Sequence, residues 1–193
     1  MKSILIISLF IFFIISCSET NKQEKIKIDN KFLKKLNHEQ LDLLAFELSE
    51  RNSIDSLRTL NQYRISKGNF EYYYNLAATY LELKDAEGIK ILEKGAYYKV
   101  NNCLLALAMF YENGQFNLIK GGFLITPNLD SSIHYYTIAA NNNDLQSQYS
   151  LGLTYYDQHM KDSSDKYLKM CINNNSIDES DVKGAALDIL NRK

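Results

Sequence analysis

Three seven-residue stretches repeat one arrangement of apolar positions: 74–80, 105–111 and 149–155. In each, a leucine is followed at once by a small residue and, three positions later, by a tyrosine: Leu76-Ala77 with Tyr80, Leu107-Ala108 with Tyr111, Leu151-Gly152 with Tyr155. Leucine and tyrosine four residues apart share one face of a helix, and the small residue lets a second helix approach closely. The spacing therefore predicts three helices on one plan. Leu76 and Leu107 lie 31 residues apart, Leu107 and Leu151 44. The excess falls mostly in 115–127, which holds Gly121-Gly122 and the only proline, and reads as an insertion in the second unit.

A second helix is expected after each of these. The runs 91–96, 135–140 and 167–172 align with Gly95, Ala139 and Cys171 at one small-residue position. Asn101-Asn102, Asn141-Asn142-Asn143 and Asn173-Asn174-Asn175 follow, and Asn, which tolerates left-handed backbone, reads as punctuation. Upstream, His38–Glu50 and Ser53–Lys67 form a degenerate pair, with Leu41, Leu44, Ala45 and Leu48 at helical spacing and Lys67-Gly68-Asn69 as a stop. A last helix over Asp181–Asn191, with Val182, Ala185, Ala186 and Ile189 on one stripe, caps the series. Polar and apolar residues nowhere alternate for long, so no sheet is expected.

The N-terminus follows a different rule. Lys2 precedes Ile4–Ile15, apolar except for Ser8, and the run stops at Ser16-Cys17. A basic start, a core of roughly 7–15 apolar residues and a small residue before the cut describe a secretory signal. As a helix the run rises about 18 Å, short of the ~30 Å hydrocarbon core of a bilayer. Ile14-Ile15-Ser16-Cys17 resembles the bacterial lipobox. The resemblance implies cleavage before Cys17 and acylation of that residue, and several chains at about 0.8 kcal/mol per buried methylene hold a protein on a membrane. An ordinary signal peptide with a chance cysteine is the alternative. The polar stretch from Ser18 to Lys25 reads as a tether. The expected address is the bacterial envelope, with Ser18 after the cysteine favouring the periplasmic side of the outer membrane.

Helix pairs repeating at this interval resemble the tetratricopeptide class, and Ser150–Tyr156 with His134–Asn141 is similar to the signature of its Sel-one-like (SLR) relatives. The resemblance covers 70–172 and implies an all-α, right-handed α/α superhelix of antiparallel pairs. Ala108 stands where that family usually has Gly, and the insertion exceeds its usual loop. The family pattern puts first helices on the concave face. Carried onto this chain, it places Glu71, Tyr74, Ala78, Leu81 and Glu82 there from the first unit. Asn102, Leu105, Met109, Glu112 and Asn113 come from the second, and Gln146, Tyr149, Leu153, Tyr156 and Asp157 from the third. From these, Tyr74, Glu82, Met109, Glu112, Tyr149, Leu153, Tyr156 and Asp157 are taken as partner-binding candidates, since Tyr and Met bury large area at interfaces. Packing against a neighbouring helix is the competing reading.

Composition narrows the function. The formal net charge is −1, and loss of Lys2 with the signal takes it to −2, which leaves no basic face for nucleic acid. His38-Glu39 opens like a zinc-protease motif, but position 42 is Asp. His134 sits before a tyrosine pair, and His159 lies near Asp157 and Asp162, as a solvated turn would place it. No serine stands in a Gly-x-Ser-x-Gly elbow, and in Lys120-Gly121-Gly122 the lysine precedes the glycines, the reverse of a phosphate loop. Neither a catalytic set, nor a metal site, nor a cofactor is expected. Cys103 and Cys171 fall in elements that are not neighbours and read as packed thiols, a disulfide being the alternative.

The organisation expected is thus a signal over 1–16, a lipidated tether over 17–30, a degenerate helical pair over 31–69, and SLR-like repeats with a capping helix over 70–193. Small SLR lipoproteins resemble two classes: immunity proteins that block a secreted antibacterial toxin, and scaffolds for envelope or cell-wall assembly. One domain without catalytic groups favours the inhibitor.

Overall fold

Short polar side chains cap four of the helix starts. In the computed structural model, which describes residues 28–83, 85–116, 123–176 and 180–192, Asp29 accepts from the Phe32 N–H at 2.8 Å and opens α1 (Asn30–Leu33). Asn37 and Gln40 satisfy each other's backbone N–H at 2.9 Å, a reciprocal cap that starts α2 (His38–Glu50). Then come α3 (Ile54–Ser66), α4 (Tyr72–Leu81), α5 (Glu87–Tyr97) and α6 (Asn101–Asn113). Asn128 caps α7 (Leu129–Asn141) and Asp144 caps α8 (Leu145–Asp157), each through the backbone N–H three residues on. The described chain ends with α9 (Lys161–Ile172) and α10 (Ser180–Asn191).

From α2 onward each helix packs chiefly on its neighbours in the chain, while α1 packs on α3; α4 also touches α6, as α8 touches α10. The result is a helical repeat solenoid with four buried clusters in series. Leu33, Leu44, Leu48 and Leu60 close the N-terminal pair. Leu76, Ala77, Leu92, Cys103 and Leu107 fill the next layer, Ala108, Tyr136, Ala140 and Leu151 the third, and Leu145, Leu168, Cys171, Ala186 and Ile189 the last.

The aligned sequence positions coincide with these layers. Leu76, Leu107 and Leu151 are buried, and so are the small residues beside them. At Gly152 an added Cβ would lie 2.7 Å from two carbons of Leu168, and at Gly95 it would lie 2.3 Å from Cys103 Sγ, so both helix contacts need the missing side chain. The repeat tyrosines of the last two units stack on a tyrosine of their second helix: Tyr111 on Tyr135 at 5.7 Å, Tyr155 on Tyr167 at 5.8 Å. In the first unit Ile91 takes that place, and Tyr80 instead receives the guanidinium of Arg58, 3.7 Å above its ring. Arg58 also donates to the Thr79 carbonyl at 2.9 Å.

Three expectations need correction. The insertion is not without a sheet: after α6 ends at Gly114 (φ 78°), β1 (Gln115–Phe116) and β2 (Phe123–Ile125) pair antiparallel. Buried Ile125 and the Asn128 N–H bond to the Tyr111 carbonyl, 2.7 Å, pin it to the stack. Asn101-Asn102 does not break a helix but begins α6, and the left-handed turn residue is Lys99 (φ 58°). Asn174 is not punctuation either. Buried in the last layer, its amide donates to Gln148 Oε1 at 2.9 Å and to the Asn143 carbonyl at 3.0 Å, joining two units. Asn143 itself (φ 64°) does serve as a turn. Cys103 and Cys171 lie in different layers, as packed thiols do.

Candidate partner-binding face

The first helices α4, α6 and α8 carry the eight candidate residues, and six of the eight reach solvent. Tyr74 is 39 % exposed, Met109 48 % and Tyr156 40 %, and Glu82, Glu112 and Asp157 are exposed as well. Glu82 follows α4 directly, Glu112 lies in the last turn of α6, and Asp157 ends α8, so the three carboxylates stand at equivalent ends of equivalent helices. Glu112 accepts the hydroxyl of Tyr136 at 2.8 Å. Burial, and secondarily that bond, holds the Tyr136 phenol well above its ordinary range, so the phenol keeps its proton.

Tyr149 and Leu153 belong elsewhere. Both are half-buried and pack on the last layer, with Ala186 and Ile189 of α10. The repeat pattern alone does not distinguish them from Tyr74 or Met109; the difference lies in how they pack on the last layer. Cys17 lies outside the described residues.

The histidines are spread through the molecule. His38 Nδ1 lies 3.0 Å from Asp42, whose other oxygen binds Arg64, so His38 is engaged in a structural network. His134 is exposed and sits edge-on to Tyr135. His159, exposed with φ 59°, joins Tyr156, Asp157, Lys161, Asp165 and Arg192 around an open cleft of about 680 Å³ at the end of the stack. Asp165, not Asp162, is the second carboxylate there, and it pairs with Lys161 at 3.3 Å. Among the described residues no group of three or more His, Cys, Asp or Glu is placed to hold a metal, and no helix is long and apolar enough to cross a membrane.

Sequence reasoning passed over one surface feature. Phe70, Tyr73 and Tyr98 form a parallel stack, with Phe70 and Tyr98 4.1 Å apart, and Tyr97 stands edge-on to it, 82 % exposed. Tyr97-Tyr98 occupies the alignment position of Asn141-Asn142 and Asn173-Asn174. That substitution of an aromatic pair for an asparagine pair is the signal that was available.

No protein-family model and no curated protein matches the chain. Among solved structures, the crystal structure of a Sel1 repeat protein from Oxalobacter formigenes is similar, with a TM-score of 0.54 at 12 % identity, over 77 % of this chain and 57 % of that one. The chain thus spans somewhat over half the length of that neighbour. At this identity the likeness concerns the path of the backbone, and it agrees with the layered helix pairs described above: the fold is a Sel1-like helical repeat solenoid.

Proposed function

We propose that this protein is a binding module for another protein, working through the first-helix face and without chemistry of its own. The observation that carries the reading is the exposure of Tyr74, Met109 and Tyr156 on the three first helices, whose opposite sides are committed to the core. Large, semi-rigid apolar side chains on a preformed scaffold bind at small entropic cost. The dispersal of the histidines and the ion-paired state of Asp165 support a role without catalysis.

The further reading is an envelope lipoprotein, anchored through Cys17 and acting as an immunity-type inhibitor that occupies a secreted antibacterial toxin. It rests on the lipobox-like Ile14–Cys17 and on the first-helix face. Cys17→Ala expressed in a bacterial envelope should move from the membrane to the soluble fraction; retention on the membrane would overturn the anchor. Affinity capture with the same variant, followed by light scattering of the recovered complex, tests the role. One stoichiometric secreted hydrolase or pore-former, inhibited on addition of this protein, is the expected result. Several envelope proteins at low occupancy, with no inhibited activity, would replace the inhibitor with an assembly scaffold.

A further inference from the structure

The partner's chemistry is legible in the charges of the repeat. Helices α4, α6 and α8 contain no Lys or Arg; of the second helices, α5 and α9 carry five lysines between them, Lys90, Lys94, Lys161, Lys166 and Lys169, and α7 carries none. Acidic residues, by contrast, stand at the C-terminal ends of all three first helices, as Glu82, Glu112 and Asp157. A helix C-terminus already carries negative partial charge, and cations there stabilise by typically 0.3–1 kcal/mol, so a carboxylate is the disfavoured choice. It recurs three times, and no basic residue occupies the last turn of any of these helices. Among the described residues none of the three carboxylates is ion-paired. Beside each stands a large exposed apolar side chain: Leu83 (53 % exposed) next to Glu82, Met109 one turn before Glu112, Tyr156 next to Asp157.

We infer that the first-helix face selects a cationic protein segment, in which Lys or Arg side chains pair with Glu82, Glu112 and Asp157 while apolar residues cover Leu83, Met109 and Tyr156. This rests on the reading of that face as the partner-binding surface. Carboxylates at the same place in three units, each beside an exposed apolar side chain, fit a site kept for something outside the chain. The partner's cations would meet both the carboxylates and the negative helix ends, which favours encounter and register more than raw affinity.

A random-peptide phage library panned on the full chain in mild detergent tests both layers separately. The expected outcome is enrichment of peptides that combine Lys or Arg with Leu, Tyr or Phe, with binding weakened about tenfold or more by the triple variant Glu82→Gln, Glu112→Gln, Asp157→Asn. Glutamine at 112 still accepts the Tyr136 hydroxyl, and circular dichroism confirms that the variant is folded. Enriched peptides without cationic bias, or cationic peptides indifferent to the triple variant, overturn the inference. In that event the double variant Met109→Ala, Tyr156→Ala decides the underlying reading: loss of binding keeps the face, and unchanged binding removes it too.

Discussion

The guanidinium of Arg64 lies 4.2 Å above the ring of Tyr72, although the two residues belong to different helix pairs. Arg64 ends α3 with its side chain 5 % exposed, donates to Asp42 of α2, and roofs the first turn of α4. With Arg58 over Tyr80 at the other end of α4, two arginines clamp the degenerate pair onto the repeats. This explains how a pair with a weak repeat signature joins the stack: besides Ile65, which packs on the Leu76 layer, its docking uses two cationic side chains rather than a continuation of the leucine pattern.

Removal of Asp42 should therefore cost more than its own exposure suggests, because it strands a buried charge. Asp42→Ala is expected to lower unfolding free energy by about 2–3 kcal/mol, toward the range for breaking a buried pair by one partner. His38→Ala, which removes only the exposed neighbour of Asp42, should change it by less than about 1 kcal/mol. Urea denaturation of the two variants checks this. Equal effects would mean that the clamp does not hold the pair.

Gly95→Ala should destabilise, even though alanine is the better helix former by about 1 kcal/mol. The added methyl meets Cys103 Sγ at 2.3 Å and Tyr73 Cβ at 2.9 Å, and overpacking of this kind costs typically about 1–3 kcal/mol. Cys103→Ala should rescue the variant in part, by removing the nearer contact. A double-mutant cycle reads the coupling directly.

The protein should lose stability as pH rises from about 9 to about 12. Burial pushes the Cys103 thiol from its ordinary 9.0 up to about 12, and also raises Tyr72, Tyr135, Tyr136 and Tyr155. A group whose folded value is raised resists ionisation in the native state. Its contribution is fully present below the unfolded value and is lost as pH climbs toward the folded one. The midpoint of urea unfolding, followed across this window, should fall steadily, and Cys103→Ala should flatten the thiol's share. At pH 8, Cys103 should resist iodoacetamide until the chain is unfolded.

Tyr149 and Tyr156, although one helix carries both, should answer differently to truncation. Tyr149→Ala removes a half-buried ring from the contact with α10 and should cost about 2 kcal/mol or more. Tyr156→Ala removes a ring on the exposed side and should cost under about 1 kcal/mol while weakening partner binding. Thermal unfolding of the two single variants checks the division. A large loss at Tyr156 would place that residue in the core.

Much of the architecture was legible before any coordinates. Leucine–small–tyrosine triplets determine helix pairs because the spacing puts one stripe inward and leaves room for a neighbour, which is local geometry that depends on no distant residue. The start of α2 at His38, the insertion after Asn113 and the presence of a last helix near Asp181 follow from the same local rules. What needed the tertiary structure was every feature created by elements far apart in sequence. The insertion's ladder forms only because Ile125 finds the core and Asn128 finds the Tyr111 carbonyl. Asn174 becomes a buried clamp only because Gln148 of the previous helix faces it. Tyr149 and Leu153 are half-covered by the last layer, whereas Met109, at the repeat position of Leu153, stays open. The sequence by itself determined which residues point the same way; which of those faces is covered was decided by long-range packing, since burial belongs to two surfaces and a single helix supplies one.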